Sequence, residues 1–429
     1  MFKYSTRGLK FSTFDGLQLL VYFGVFLYLV LQPAIYSPDT YTYFKVHFYR
    51  FPGYGLFLRS FDLLFGDFFE TAVVAFQLIF GFLAISKLLS SGKHLLKLKV
   101  WEYILLFMVL IFPYFPPLLV GNNLTSEGIS YPLYLFLVAF SIDFLFRNQT
   151  AKFIHLSIAF ILLCLTRGQF IIVAPVILVL YILKERRNIF GRTKLFYVLL
   201  LLILPFLVQT LDKTYHKLVH DFFVTTPFSY VNALTLPLYV SNKEDAALLK
   251  VEDNRTIYLN TFKRIDSLGL LSSNVSGNAS DKYMVFHNNF PVICNGNFHI
   301  PGMSYFENKT EKPGENVIMI EQTAKEMLPI LIKNNFKEYI SIYWEGVFHG
   351  FGGIMIACLA LLLFLYSVFI ALRKWSVYNG LLLFALTLII SNAIIVAFAS
   401  HSIMRYLFYN YFFAVLVGII LFRKIISKT

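Results

Sequence analysis

Residues 347–372 read VFHGFGGIMIACLALLLFLYSVFIAL, 26 positions without one Asp, Glu, Lys or Arg, and Arg373-Lys374 follow at once. About 20 mostly apolar residues in a helix cross the ~30 Å hydrocarbon core of a bilayer. A helix on a soluble surface needs only an apolar stripe, whereas this segment is apolar on every side. It reads as a membrane span closed by a basic anchor. The same pattern recurs at 14–35, 68–89, 101–120, 129–146, 153–166, 169–183, 195–209, 379–399 and 406–422. Segments 153–166 and 169–183 are short and joined only by Thr166-Arg167-Gly168, which predicts a tight helical hairpin. The expected fold is an all-α polytopic membrane protein of about 10 transmembrane helices.

Composition agrees. Of 429 residues, 58% are apolar and 14% are charged, with 48 Phe and 27 Tyr. Soluble globular chains carry roughly 45–50% apolar and about 25% charged residues. A soluble enzyme, a disordered tail, a coiled coil and a disulfide-stapled secreted domain are excluded. The net charge of +13 would suit nucleic acid, but the basic residues sit in short blocks between apolar stretches. The partner they imply is the lipid bilayer, not nucleic acid.

Those blocks alternate in density. One set of connections, including Lys3, Arg7, Lys10, Lys184, Arg186, Arg187, Arg373, Lys374 and Lys428, carries 19 Lys/Arg. The short loops of the opposite set carry five: Lys45, Arg50, Arg59, Arg167 and Arg405. This bias predicts both termini in the cytoplasm. No small-x-small site follows the long first apolar run, so residues 1–35 read as an uncleaved helix rather than a signal peptide. Three parts are expected: an N-terminal transmembrane module, 1–209, with an outward loop at 36–67; an extracytoplasmic loop domain, 210–346; and a C-terminal transmembrane module, 347–429. The loop domain holds 13 Lys/Arg and 15 Asp/Glu and is too long for a plain loop. Its part 316–344 has amphipathic helical character.

In the 36–67 loop, Ser37-Pro38-Asp39 reads as a helix start, with Ser37 as N-cap and Pro38 first. Tyr41, Phe44 and Phe48 then recur at helical spacing, and a second short helix around 54–65 presents Leu56, Phe57, Phe61, Leu64 and Phe65. Both suit helices lying in the membrane interface.

Ionisable groups at a membrane boundary are costly and tend to be functional. Asp39, Arg50, Glu127, Arg167 and Arg405 fall on the outward side, with His401 close by. Two carboxylates among three guanidiniums suit a phosphate-bearing substrate. Arg binds phosphate oxygens in pairs, and a carboxylate can take a hydroxyl proton. Plainer roles stand beside these: Asp39 and Glu127 as helix-start acids, Arg167 as the partner of Glu127, Arg50 and Arg405 as interfacial anchors. His216 and His220 are spaced i, i+4, and a metal would need a third ligand. Asn123, Asn254, Asn274, Asn278 and Asn308 match N-x-[ST], a short pattern that recurs by chance. Cys164 and Cys358 lie in apolar stretches and Cys294 in the polar segment, so no conventional disulfide framework is formed.

Four stretches carry a family resemblance. YSPDTYTYFKVHFYRFPGYGLFL, at 36–58, resembles the first extracytoplasmic loop of GT-C class glycosyltransferases, with an acid after the first span and an Arg-x-Pro-Gly-Tyr-Pro-like stretch. SEGISYPLYLFL, at 126–137, resembles their acidic motif opening a later span. LTRGQFIIVAPVILVLY, at 165–181, resembles their Leu-x-Arg-Pro helix, and SIMRYLFYNYFFAVL, at 402–416, their late Arg-Tyr motif. The relatives are bacterial protein O-mannosyltransferase-like and aminoarabinose-transferase-like enzymes. The resemblance covers about 1–210 and 317–429. Gly55 and Gly168 stand where prolines are usual, and the loop has one acid, Asp39, where some members have a pair.

The resemblance implies inverting transfer of a sugar from a polyprenyl-phosphate donor to a glycan, lipid or protein acceptor. The lipid tail would enter between spans. Asp39 would be the base. Arg405, Arg50, Arg167 and His401 would bind the donor phosphate, and Glu127, Tyr41 and Tyr54 would orient the acceptor or hold a metal. The resemblance fixes no cofactor; a divalent metal is the one candidate, and the single acid of the loop argues against dependence on it. Two alternatives remain: a lipid-linked glycan polymerase or ligase, which would not need Asp39, and a transporter, which would usually show repeated halves and midplane polar sites.

Overall fold

The computed structural model describes residues 13–426; the expected basic residues Lys3, Arg7, Lys10 and Lys428 lie outside the described residues. Within them the chain is helical, with one isolated bridge between Ile35 and Asn123. Seven helical runs are long and apolar enough to cross a membrane: Pro52–Leu96, Glu127–Phe146, Gly168–Glu185, Arg192–His220, Ile354–Arg373, Val377–Ala399 and Met404–Ile426. Three shorter apolar helices, Gly16–Val30, Val100–Tyr114 and Lys152–Thr166, coincide with three further expected spans. The protein is an all-α, multi-pass membrane protein.

Several boundaries differ from expectation for local reasons. The first helix ends at Val30 rather than 35. The span expected at 195–209 continues as a helix to His220, where Asp221 turns left-handed at φ 64°. The expected 347–372 span is split: helix Phe336–Gly350 stops at the glycine pair Gly352 (φ 78°) and Gly353 (φ 132°), and Ile354–Arg373 begins afresh. Positive φ is accessible to glycine without a Cβ clash. The expected 101–120 segment ends in the turn carrying Pro113, Pro116 and Pro117, since proline cannot donate to a helix ladder. The loop-domain segment 316–344 forms Glu315–Asn334 and Phe336–Gly350, broken at Asn335.

The loop at 36–67 corrects two readings. Ser37 is not the N-cap; helix Thr40–Phe44 starts later, with Asp39 at the cap position. Left-handed Val46 (φ 48°) then turns the chain, so Tyr41, Phe44 and Phe48 do not form one face: Tyr41 is exposed while Tyr43, Val46 and Phe48 are buried. The second helix, Pro52–Phe65, opens with proline at its first position and exposes Leu56, Leu64 and Phe65.

Helix Glu127–Phe146 is the axis of the bundle. Every residue in it except Phe136 and Phe140 is buried, between helices Phe69–Leu96 and Lys152–Thr166. At its far end the buried Asp143 meets Lys87 at 2.5 Å and Arg147 at 2.8 Å, which keeps a desolvated carboxylate paired. Sixteen residues of helical rise put Glu127 about 24 Å away, at the other end. A second hydrophobic core lies within 231–342, apart from that of the bundle. Ser402 joins the two: its amide donates to the Tyr283 hydroxyl at 3.1 Å, and its hydroxyl to the Gly346 carbonyl at 2.7 Å.

Candidate functional site

Backbone approach builds the site. Ile35 N–H donates to the Asn122 carbonyl at 2.8 Å, and Leu124 N–H to the Ile35 carbonyl at 3.0 Å. The Thr40 hydroxyl then donates to the Leu124 carbonyl at 3.0 Å, and Tyr43 meets Ser126 through their hydroxyls at 3.1 Å. These bonds lay Asp39 beside the start of helix Glu127–Phe146. Glycines bring in the hairpin at Arg167. A Cβ on Gly53 would stand 2.7 Å from Thr166 Oγ1, and one on Gly168 would stand 2.4 Å from the Phe51 ring. Gly168 therefore occupies the expected proline position at a contact no larger residue fits.

The five expected charges meet there in alternating order. Arg50 Nη2 donates to Asp39 Oδ1 at 2.6 Å, and Arg405 Nη1 to Asp39 Oδ2 at 2.8 Å. Arg405 also gives Nε and Nη2 to the two oxygens of Glu127, and Arg167 pairs with Glu127 from the other side. The chain runs Arg50–Asp39–Arg405–Glu127–Arg167, three cations against two carboxylates. It joins positions 366 residues apart. Neither acid acts as a side-chain cap: Asp39 makes no capping bond, and both oxygens of each carboxylate go to arginine. Burial pushes the Asp39 carboxyl up, but Arg50 and Arg405 outweigh it and hold it below the usual carboxylate range.

Exposure differs along the chain. The Glu127 side chain is 3% exposed and that of Arg167 11%, that of Arg50 is 20%, and Asp39 and Arg405 are both 31% exposed. The cluster opens to the surface at Asp39 and Arg405 and is buried at Glu127.

The remaining expected residues stand differently. Tyr54 is fully buried, its hydroxyl on Gln77 Oε1 at 3.0 Å. Tyr41 projects outward, its ring 5.7 Å from Lys45 Nζ. The neighbours of His401 are His287, at 5.1 Å between ring centroids, and Phe290, stacked at 4.5 Å. Burial first, then His287 and His349, lower its pKa to about 4, leaving a neutral imidazole at pH 7. His216 meets Thr226 at 3.1 Å and flanks Phe48 with His220. Among the described residues no group of three or more His, Cys, Asp or Glu side chains could hold a metal ion. With all four oxygens of Asp39 and Glu127 already bound by guanidiniums, these residues do not fit a divalent metal.

Sequence reasoning missed the aromatic lining. Arg50 lies 4.6 Å over the Tyr43 ring, and Arg167 lies 5.2 Å over Tyr406 and 5.9 Å over Tyr409. Gln77 was also missed: it is buried and donates to the Gly121 carbonyl at 2.9 Å. Tyr406 adjoins Arg405 in sequence, so a signal for it was present; Tyr43 and Gln77 left none.

No protein-family model matches the chain, and neither does any curated protein or solved structure.

Proposed function

We propose that this chain is a membrane glycosyltransferase of GT-C type. In this reading it transfers a sugar from a polyprenyl-phosphate donor to a hydroxyl of a glycan, lipid or protein acceptor. All ten apolar helices cross the membrane, with Asp39 and Arg405 on the extracytoplasmic face of a plasma or bacterial inner membrane. Lys152–Thr166 spans only about 22 Å at 1.5 Å per residue, tolerable beside the buried axis helix.

One observation carries the reading: the alternating chain of Arg50, Asp39, Arg405, Glu127 and Arg167, drawn from distant segments to one end of the bundle and open at Asp39 and Arg405. As a purely structural device such a chain would contribute little net stability, because desolvation of the charges offsets much of their attraction. In the proposed reaction Asp39 accepts the proton of the acceptor hydroxyl. The acceptor oxygen forms the new bond to the anomeric carbon as the bond to the phosphate oxygen breaks. The electron pair leaves with the phosphate, where guanidinium donors stabilise the growing charge. Displacement in one step inverts the anomeric centre. Glu127, buried between Arg167 and Arg405, positions those two side chains.

The test is product formation by the purified protein with defined polyprenyl-phosphate sugars, alongside mass spectrometry of surface glycans and lipid-linked intermediates with and without the gene. Identical glycan and lipid profiles would remove the proposal.

A further inference from the structure

A second concentration of charge lies at the opposite end of the bundle. The 3-10 turn Gly168–Ile172 and helix Val173–Glu185 together carry the chain about 30 Å from Arg167. There a cavity of about 380 Å³ opens between two turns. Lys184, Arg186, Arg187 and Lys194 line it from one turn, and Arg373 and Lys374 from the other. Six cations face one carboxylate, Glu185.

That carboxylate is already used, by an ion pair with Lys194 and by Lys184 at 3.4 Å. Arg186 donates to the Leu372 carbonyl at 2.6 Å and so ties the two turns together. The Arg373 guanidinium lies 4.3 Å over the Phe369 ring. Arg187 and Lys374 make no side-chain hydrogen bond or ion pair among the described residues. Membrane sidedness asks only that basic residues gather near this end. It does not ask that they wall one cavity from two turns held by an arginine-to-carbonyl bond. Crowded like charges repel, and a multivalent anion between them converts that repulsion to attraction.

We propose that this cavity binds a phosphate group, with Arg187 and Lys374 as its free ligands. Its volume is in the range of small-molecule pockets, about 300–1,000 Å³, and exceeds what a lone phosphate fills. A diphosphate or the headgroup of an anionic lipid suits it better. The lipid is favoured by what borders it: Leu372 and Phe190 are exposed on the rim turns, and Trp375, stacked on Phe146, has the amphipathic ring typical of headgroup depth. The site is independent of glycosyl transfer.

The test uses the full chain in phosphatidylcholine nanodiscs with or without phosphatidic acid, and in detergent with pyrophosphate. Retained lipid is read by native mass spectrometry and pyrophosphate by the shift in thermal unfolding. The wild type should retain phosphatidic acid over phosphatidylcholine, and R187Q/K374Q should weaken this about tenfold. The charge-keeping R187K/K374R should hold binding near wild type and so controls for folding. Retention of phosphatidic acid without a pyrophosphate response assigns a lipid headgroup. A pyrophosphate response without lipid selectivity assigns a free phosphate. Equal retention of both lipids with no pyrophosphate response, or binding unchanged in R187Q/K374Q, overturns the site and leaves solvated basic loops.

Discussion

Arg405→Lys separates charge from geometry at the candidate site. The wild-type guanidinium gives Nε and Nη2 to Glu127 and Nη1 to Asp39, the last at 2.8 Å. An ammonium carries its donors on one atom and cannot span both carboxylates in this way. Its charge is unchanged, so the alternation with Asp39 and Glu127 survives. The stability cost is that of one charge-assisted hydrogen bond, about 2 kcal/mol. Catalysis should suffer more if Arg405 also holds the departing phosphate. Losing one preorganised donor to a developing oxyanion costs about 10²–10³ in kcat, and an interaction made mainly in the transition state lowers kcat without raising KM. The assay is steady-state kinetics of purified wild type and Arg405→Lys with a polyprenyl-phosphate sugar, beside thermal unfolding. A kcat about a hundredfold lower in a folded variant with near-normal KM is expected. Wild-type kcat would refute the phosphate role and leave an interfacial anchor, because Lys snorkels as well as Arg. A defect in KM alone would move Arg405 to donor docking.

Asp39→Asn should stay folded, since its amide oxygen can still accept from Arg50 or Arg405, while kcat falls about 10²–10⁴-fold; normal turnover would remove Asp39 as base and favour the polymerase or ligase reading. Gly168→Ala should cost about 1–3 kcal/mol by driving a Cβ into Phe51, and adding Phe51→Ala should restore part of it; no rescue in thermal unfolding would locate the strain elsewhere. Acid should loosen the junction of loop domain and bundle. The folded pKa of His401, about 4, lies below its ordinary 6.5, so its stabilisation is complete above pH 6.5 and lost as pH falls toward 4, by up to about 3 kcal/mol. His287, His349, Tyr283, Phe290, Ser400 and Tyr406 surround this cluster, and parallel unfolding profiles for wild type and His401→Gln across that window would refute the assignment.

The seven long apolar helices were legible because each contains a continuous apolar run and lipid tolerates little else. The five clustered charges were legible for the matching reason: a charge at the end of an apolar helix is costly, so each stood out. Their mutual contacts were not. The approach of Arg167 to the 36–67 loop depends on Gly53 and Gly168 lacking a Cβ, which sequence alone could not set against Thr166 and Phe51. Helical spacing misled at Tyr41, Phe44 and Phe48 because helix Thr40–Phe44 is five residues long and Val46 reverses the chain. Tyr54 looked like a site residue by its place in the motif, yet its ring packs edge-on to Tyr43 at 5.2 Å inside the core. The loop domain stayed opaque because its helices pack on one another rather than on lipid, and composition does not encode that order.

Under the glycosyl-transfer proposal, the geometry orders the two substrates. Asp39 held by two guanidiniums is ionised at neutral pH but weakly basic, whereas a good general base has a pKa near the working pH. Its basicity rises if one arginine leaves. Arg50 is poorly placed to do so: its Nε donates to Thr42 at 2.9 Å, and its guanidinium rests on Tyr43. Arg405 is better placed, being about a third exposed and set in the four-residue helix Met404–Leu407 after the break at 400–403. A donor phosphate competes for this guanidinium, and the movement that captures the phosphate strips one cation from Asp39. Acceptor activation then follows donor binding. Initial-rate kinetics should be ordered, and a non-transferable polyprenyl phosphate should compete with the donor and inhibit noncompetitively against the acceptor. Competition by an unreactive acceptor analogue against the donor would mean the acceptor binds without it, and Arg405 would then not be the coupling element.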